Sequence, residues 1–453
     1  MSSRVVIIGG GISGLSTAYY LSKAGIANTI IEPRDYLGGV IKTETVDGCV
    51  LEQGPDSFLA AKPAALELIK EVGLGDEVIG SNDHTRKTYL KKNGRLVVMP
   101  DGLMMMVPTK IVPVAMSSLL GVGTKIRMGL EWFRKPAGAM PDRSVADFVA
   151  DHYGQEAVDY LAEPLLSGVY GGDPREMSAP AVLAQMVALE TKYGSLTKGV
   201  IASRKNAPPS SGGTLFRTLK GGLGTLTAKL ETLIQPHTQV VRAGAETIER
   251  LGDGFRVRVG GEWIEAGKIV LCCQAYNAAS MLTGLDARLA ELLNASAYNS
   301  SMTIAFGYEA AGFHNPIPGH GFLIPSVERK RLAAGTWVAT KFSHRAPDNR
   351  IVLRCFVGGK SMSGTDDEII ADVKAELREL IGLTAEPVFT RVSRWHRSMA
   401  QYTVGHSVRL AEIRTRLGEI PGLQVAGNAY EGIGIPDCIR MGKVAASAVQ
   451  EKP

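Results

Sequence analysis

The run VVIIGGGISGLSTAYYLSKAG, residues 5–25, constrains this chain more than any other. A strand of branched apolar residues leads into Gly9, Gly11 and Gly14 at G-x-G-x-x-G spacing, and a helical stretch follows that can stop at Gly25. Glycine is demanded where the turn is tight, where backbone must approach a pyrophosphate and where helix meets strand. The next strand, NTIIEP, ends in Glu32, which lies about twenty residues on and suits a ribose hydroxyl. Strand, glycine turn, helix, strand and acid in that order imply a bound adenine dinucleotide on an α/β sheet.

The rest of the chain must be large. At 453 residues, a prior of about 150 per domain gives roughly three domains or one interleaved pair. Hydrophobic residues make up 45% and charged residues 21%, without a low-complexity tract, so a folded core is expected. The opening MSSRVVIIGG reads as a buried strand and not a signal peptide, which implies a cytoplasmic protein. Cys49, Cys272, Cys273, Cys355 and Cys438 form no C-x-x-C pair, and the vicinal pair in IVLCC suits burial better than redox chemistry.

Charge is uneven. Between His84 and Lys135 there are ten Lys or Arg against two acids, a balance that suits either an anionic partner or a solvated basic face. The same region holds MMMVPTKIVPVAMSSLLGVG, too interrupted by Pro108, Lys110 and Pro113 to span a bilayer. It is compatible with ordinary helical core, a pocket for a large flat ligand, or a membrane surface. Residues 144–192 read as helices broken by a loop at PLLSGVYGGDPREMSAP, and 194–213 as an exposed polar connector. LKGGLGTLTAKL is a glycine turn entering a helix, the segment to IVLCC is a small antiparallel sheet, and SMTIAFGY, GHGFLIPS, TWVATKF and RIVLRCFVGG are strands of a second, mixed sheet with the helix DEIIADVKAELRELIG. The chain closes on GNAYEGIGIPDCIRMGKVAASAV, a second glycine-rich turn entering a helix whose N-terminus offers unpaired N–H groups and partial positive charge.

YLGGVIKTETVDGCVLEQGPDSF is similar to the extended pattern of two-domain FAD oxidoreductases. SFLAAK, PLLSGVYGGDP, LKGGLGTL, RWHRSMAQYTVGH and GNAYEGIGIPDCIRMG together resemble the bacterial oxygen-dependent porphyrinogen oxidases of haem biosynthesis, over nearly the whole chain. The resemblance implies an α/β (α+β) architecture of the amine-oxidase kind: a discontinuous Rossmann-like FAD domain (1–60, 215–290, 391–453), a mixed-sheet substrate domain (61–95, 291–390) and a helical domain (96–214) that helps enclose substrate and touches the inner face of the membrane. It implies FAD contacts at Gly9, Gly10, Gly11, Ile12, Ser13, Gly14, Glu32, Gly38, Gly39, Gly54, Pro55, Asp56, Ser57, Ile248, Trp395, Ile433, Gly434 and Ile435. Substrate contacts are implied at Lys62, Gly168 and Tyr170. Tyr36, Val40, Gln274 and Ala400 depart from the family pattern, and none replaces a glycine the flavin needs.

The implied chemistry is three successive hydride transfers from the saturated bridges of a porphyrinogen to flavin N5, with pyrrole protons leaving to solvent and oxygen as acceptor, giving hydrogen peroxide. Aromatisation supplies much of the driving force, so positioning matters more than a side-chain acid or base, and no catalytic side chain, metal site or nucleic-acid partner is expected. His396 and His406 are read as structural. The G-I-G-I-P-D-C ending, the W-H-x-S-M run and Lys62 lean towards coproporphyrinogen III, with protoporphyrinogen IX as the alternative. A flavin amine oxidase or desaturase, or a non-enzymatic binding protein of the GDP-dissociation-inhibitor kind, would leave SGVYGGDP or the intact dinucleotide motif unexplained.

Overall fold

The computed structural model describes residues 4–136, 138, 140–206, 213–311, 313–314 and 317–450. The chain forms two compact units, Met1–Ser81 with Thr214–Tyr298 and Val408–Pro453, and Asn82–Gly213 with Asn299–Ser407.

The first unit is built on a five-stranded sheet ordered Thr238–Val241, Asn28–Ile31, Val5–Ile8, Lys268–Leu271 and Leu423–Val425, all parallel. Val5 to Ile8 are buried at every position, as a central strand covered on both faces requires. Helix Ile12–Lys23 leaves the first strand, and the closing helix Ile435–Gln450 packs beside it. Their approach is tight: a Cβ on Gly442 would fall 2.5 Å from the Ser13 carbonyl oxygen, and Thr17 Oγ1 donates to Gly442 O at 3.1 Å. The hairpin Thr43–Val46 with Cys49–Glu52 turns on Asp47 and Gly48, both at positive φ, the pairing a two-residue hairpin turn prefers. A separate antiparallel sheet runs through Ala245–Leu251, Gly254–Val259 and Glu262–Ala266.

The second unit holds a seven-stranded mixed sheet, ordered Phe389–Gln401, Ala297–Glu309, Arg350–Gly358, Ala334–Trp337, Gly321–Leu323, Thr88–Lys92 and Arg95–Val98. Helix Asp366–Ile381 covers it through Ile369, Val373 and Leu377, packed with Phe306, Tyr308 and Trp337. A reciprocal cap between Thr365 and Glu368 starts that helix. A helical layer in the same unit has its own core of Phe148, Tyr153, Leu161, Leu166, Met186, Leu196 and Val200.

Several local expectations change. Segment 61–81 belongs to the first unit, because Val78–Gly80 and Phe58–Leu59 both pair with Phe216–Leu219. Residues 391–407 belong to the second unit, since strand Phe389–Gln401 extends its sheet. The helical and mixed-sheet segments form one unit and not two. The expected loop at PLLSGVY is helix Glu163–Tyr170, preceded by a π-helical turn at Val158–Ala162; only 171–178 breaks the helices. The expected connector contains helix Leu196–Asn206, with Leu196 and Val200 fully buried, and its remainder, 207–212, lies outside the described residues. TWVATKF is half strand and half helix, Ala334–Trp337 followed by Val338–Lys341.

Candidate functional site

Three glycines of the first turn do three different jobs. Gly9 has φ +107°, and a Cβ there would lie 2.8 Å from the backbone of Cys272 and Cys273, at the end of the neighbouring strand. A Cβ on Gly14 would fall 2.0 Å from the Gly9 carbonyl oxygen, so helix and strand meet at closer range than alanine permits. Gly11 has nothing within 4 Å of its missing Cβ. Its glycine is therefore not demanded by the protein's own packing, and the open space lies at the N-cap of helix Ile12–Lys23, whose first turn carries no acidic residue. Uncompensated N–H groups and partial positive charge at such a point suit an anion of the pyrophosphate kind. Ile12 and Ser13 open the helix and are buried.

Glu32 follows the second strand and is 5% exposed. Its Oε2 accepts from Gly10 N–H at 2.8 Å and its Oε1 from Arg34 N–H at 3.1 Å, which fixes the carboxylate beside the turn and leaves one further lone pair on each oxygen for hydroxyl donors. Gly38 N–H donates to Gly10 O at 2.8 Å, and a Cβ on Gly39 would lie 3.0 Å from Gly11 Cα, so the second glycine pair docks against the first turn. A Cβ on Gly54 would fall 1.9 Å from Val40 O. Pro55, Asp56 and Ser57 follow, half-buried, with Ser57 Oγ donating to Asp56 Oδ1 at 2.6 Å. Sequence reasoning missed Glu52: it accepts from Leu223 N–H and Thr43 Oγ1, both at 2.7 Å, and so ties the hairpin to the KGGLG turn. Its position three before the P-D pair in E-x-G-P-D was the available signal. These residues together fit the phosphates and ribose of an adenine dinucleotide.

At the closing turn, Ile433 and Gly434 are half-buried and Ile435 starts the last helix, with Cys438 N–H donating to Gly434 O at 3.0 Å. Lys62 is not free: its Nζ lies 2.5 Å from Oδ2 of Asp437, in the first turn of that helix, with the lysine side chain 47% exposed. Burial pushes the Cys438 and Cys273 thiols up to about 12 and the Cys272 thiol higher still, so these groups stay protonated. Ile248 is buried in the small antiparallel sheet, opposite Val257.

The remaining expected positions belong to the second unit. Trp395 lies half-buried on strand Phe389–Gln401. Gly168 is exposed in the last turn of helix Glu163–Tyr170, where a Cβ would meet only Leu323 Cδ2, at 3.8 Å. Tyr170 ends that helix, half-buried. Of the two histidines, His406 is buried and stacks on Tyr402, ring centroids 4.0 Å apart, whereas His396 is exposed.

Much of the basic segment is consumed within the protein. Lys92 pairs with Glu156 at 2.5 Å and lies over the Tyr160 ring, Arg134 pairs with Asp151 at 2.7 Å, and Arg127 donates to the carbonyls of Ala150 and Asp151. Beneath them runs a network the sequence did not disclose. Buried Glu131 accepts from Ser195 Oγ and the Leu196 N–H and contacts His152 Nδ1 at 3.0 Å; His152 Nε2 contacts Glu190 at 3.1 Å. Burial alone would raise the Glu131 pKa, but hydrogen bonds from His152, Thr197, Ser195 and Leu196 outweigh it and hold the carboxyl below its ordinary value. Asp151, His152 and Glu190 bring ligand-type atoms within 4.8 Å of one another. Arg143 already answers both acids, 3.2 Å from Asp151 and 2.5 Å from Glu190, so the cluster is balanced by its own cations.

A different surface property marks the stretch between these helices. Ile111, Met116 and Phe133 are 83%, 82% and 73% exposed, with Val112, Val122, Ile126 and Leu130 also outward, and Lys110, Arg127 and Lys135 are exposed among them. No helix among the described residues is long and apolar enough to cross a membrane.

Comparison with known proteins places this geometry. The family described as Flavin containing amine oxidoreductase matches residues 12–450. A coproporphyrinogen III oxidase of Bacillus subtilis (strain 168) is 34% identical over 464 residues, covering 98% of this chain and 97% of the relative. A solved structure from Exiguobacterium sp. 255-15, described as a candidate protoporphyrinogen oxidase, superposes with a TM-score of 0.88 at 29% identity and 99% coverage of both chains. Wild-type putrescine oxidase bound to putrescine has a TM-score of 0.69 at 19% identity over 99% of both chains, a likeness of fold alone.

Proposed function

This chain belongs to the flavin-containing amine oxidoreductases and, within them, to the FAD-dependent porphyrinogen oxidases, and from that premise we propose that it oxidises coproporphyrinogen III to coproporphyrin III. The observation that carries the reading is similarity to the Bacillus enzyme along essentially the full length of both chains. Oxygen is the acceptor and hydrogen peroxide the by-product. FAD, when bound, would supply a two-electron acceptor for the hydride that each dehydrogenation of the substrate releases. The chain's own part is to bind and orient. Backbone N–H groups at Gly11 to Gly14 hold the pyrophosphate, Glu32 accepts from the ribose, and the N-terminus of helix Ile435–Gln450 offers positive potential to a ligand edge that gains negative charge. Trp395 and Ile248 are assigned to the cofactor, Gly168 and Tyr170 to the macrocycle, and Lys62 to a substrate carboxylate. One pyrrole N–H proton leaves to solvent with each hydride, and the fourth bridge passes its proton to a ring nitrogen by tautomerisation, without a dedicated side-chain base.

Protoporphyrinogen IX is the second reading, favoured by the description of the Exiguobacterium structure. Steady-state kcat/KM on both porphyrinogens, followed by porphyrin fluorescence with and without oxygen, separates the two. Preference for the tetracarboxylate supports the first reading, preference for the dicarboxylate the second, and turnover of neither overturns both. Undiminished turnover without oxygen, given another acceptor, removes oxygen from the proposal.

We also assign the apolar stretch between Ile111 and Phe133, with its exposed Lys110 and Lys135, to peripheral contact with an anionic bilayer at its cytoplasmic face. Co-sedimentation with phosphatidylglycerol vesicles should fall by about tenfold in Ile111→Glu combined with Phe133→Glu. Equal sedimentation of both proteins would overturn the assignment.

A further inference from the structure

Helix Glu163–Tyr170 is held at both ends by groups that do not belong to it. At its start, Glu163 accepts from Arg329 Nη2 at 3.0 Å and from the Ser326 N–H at 2.8 Å. At its end, where helix carbonyls have no intrahelical partner, two side-chain carboxamides supply donors. Gln401 Nε2 donates to Tyr170 O at 2.7 Å, and Asn299 Nδ2 donates to Gly171 O at 2.6 Å. The two come from adjacent strands of the seven-stranded sheet, Phe389–Gln401 and Ala297–Glu309.

The Gln401 carboxamide has only one workable orientation. It is 6% exposed, and its Nε2 also donates to Met399 O at 3.0 Å, so turning it over would press oxygen against two carbonyl oxygens. Its Oε1 is buried without a hydrogen-bond partner among the described residues and occupies the space beside Gly172, where a Cβ would come within 1.9 Å. Gly171 adopts φ +60°, and a Cβ there would lie 2.9 Å from Met399 Sδ. The chain beyond is stitched to the same strand end: Ser178 N–H donates to Tyr402 O at 2.7 Å and Val404 N–H to Glu176 O at 3.0 Å. Asp142 receives both Ser178 Oγ, at 2.8 Å, and Gly405 N–H, at 2.7 Å. The glycine pair that reads in sequence as part of a loop is therefore fitted around one carboxamide.

We infer that Asn299 and Gln401 are positioning residues for the substrate: by capping helix Glu163–Tyr170 from the sheet, they fix where Gly168 and Tyr170 meet the macrocycle. The inference rests on the porphyrinogen reading above. Both carboxamides are spent on carbonyls at the end of the helix, so the effect falls on substrate binding and not on the chemical step.

The test uses the flavin-loaded holoenzyme and compares wild type with Gln401→Glu and Asn299→Leu on both porphyrinogens. Each variant should raise KM about tenfold with kcat held within about twofold and an unchanged flavin spectrum, the signature of lost ground-state placement. Gln401→Glu puts an acceptor-only carboxylate against the Tyr170 carbonyl. Its defect should shrink as pH falls and the acid gains a proton to donate, whereas the Asn299→Leu defect should not vary with pH. A purely structural role would lower the melting temperature and leave KM unmoved, and that result overturns the inference. So does a Gln401→Glu defect that ignores pH. Should Gln401→Glu fail to fold, Asn299→Asp carries the same acid-rescue test. A wild type that oxidises neither porphyrinogen sinks the functional reading and this inference with it, while an active wild type with unaltered variant KM values sinks this inference alone.

Discussion

The cradle around Gly9 to Gly14 and the clamp around Tyr170 to Gly172 both depend on glycine, and for different reasons. In the cradle, glycine answers to backbone: Gly14 faces the Gly9 carbonyl, Gly9 faces the end of a neighbouring strand, and Gly11 faces open space. In the clamp, glycine answers to side chains, Gly172 to Gln401 and Gly171 to Met399. A constraint between backbones is set by a local spacing and is repeated wherever that turn is made. A constraint from a side chain more than two hundred positions away exists only after folding, so the two regions should respond differently to substitution.

The largest effect expected is from Gly14→Ala, where the added methyl meets a carbonyl oxygen 2.0 Å away on the turn itself. Overpacking of this kind should cost about 3 kcal/mol and abolish flavin retention together, measured by chemical denaturation and by flavin absorbance after gel filtration. Retention of flavin with native stability would break the account of the cradle. Next comes Glu131→Ala in the second unit, which strips a buried acceptor from His152, Ser195 and Leu196 and should cost about 3 kcal/mol without altering flavin affinity. The same carboxyl gives the comparison a pH dependence. Because its folded pKa lies below its unfolded value, it contributes stability that is complete above the unfolded pKa and is lost as pH falls through the folded one. Hydrogen exchange at acid pH should therefore rise in helices Val145–Tyr153 and Leu196–Asn206 of wild type, and this acid-dependent increment should vanish in Glu131→Ala.

Gly11→Ala sharpens the contrast within the cradle. With nothing within 4 Å of the new methyl, stability should change by less than about 1 kcal/mol. FAD affinity should nevertheless fall at least about tenfold by fluorescence titration of the apoprotein, because the methyl occupies the ligand's space. Equal loss of stability in Gly11→Ala and Gly14→Ala would erase the distinction between a glycine kept for the ligand and one kept for packing. The smallest stability effect belongs to Lys62→Glu, since a pair whose lysine is 47% exposed is worth less than about 1 kcal/mol. Its kinetic effect should be unequal, with KM raised more for a tetracarboxylate than for a dicarboxylate porphyrinogen. Equal effects would remove Lys62 from the carboxylate site and leave it as the partner of Asp437.

Sequence alone determined the parallel dinucleotide sheet, its glycine turn, Glu32 and the closing turn, because each is a run of neighbours whose spacing is the constraint. Residues 5–32 even place Glu32 beside the turn, through one helix of fixed rise. What only the tertiary structure decided were the pairings across the chain. Lys62 meets Asp437, Glu131 is ringed by 152 and 195–197, and the helix in PLLSGVY ends on donors at 299 and 401. The helices Glu163–Tyr170 and Leu196–Asn206 were hidden for the same reason: their glycine, serine and β-branched content is poor in intrinsic helix propensity, and burial of Leu166, Leu196 and Val200 in a shared core outweighs it. A hydrogen-bond donor or a patch of apolar surface is visible in a sequence, but the partner that gives it a role is chosen by the fold.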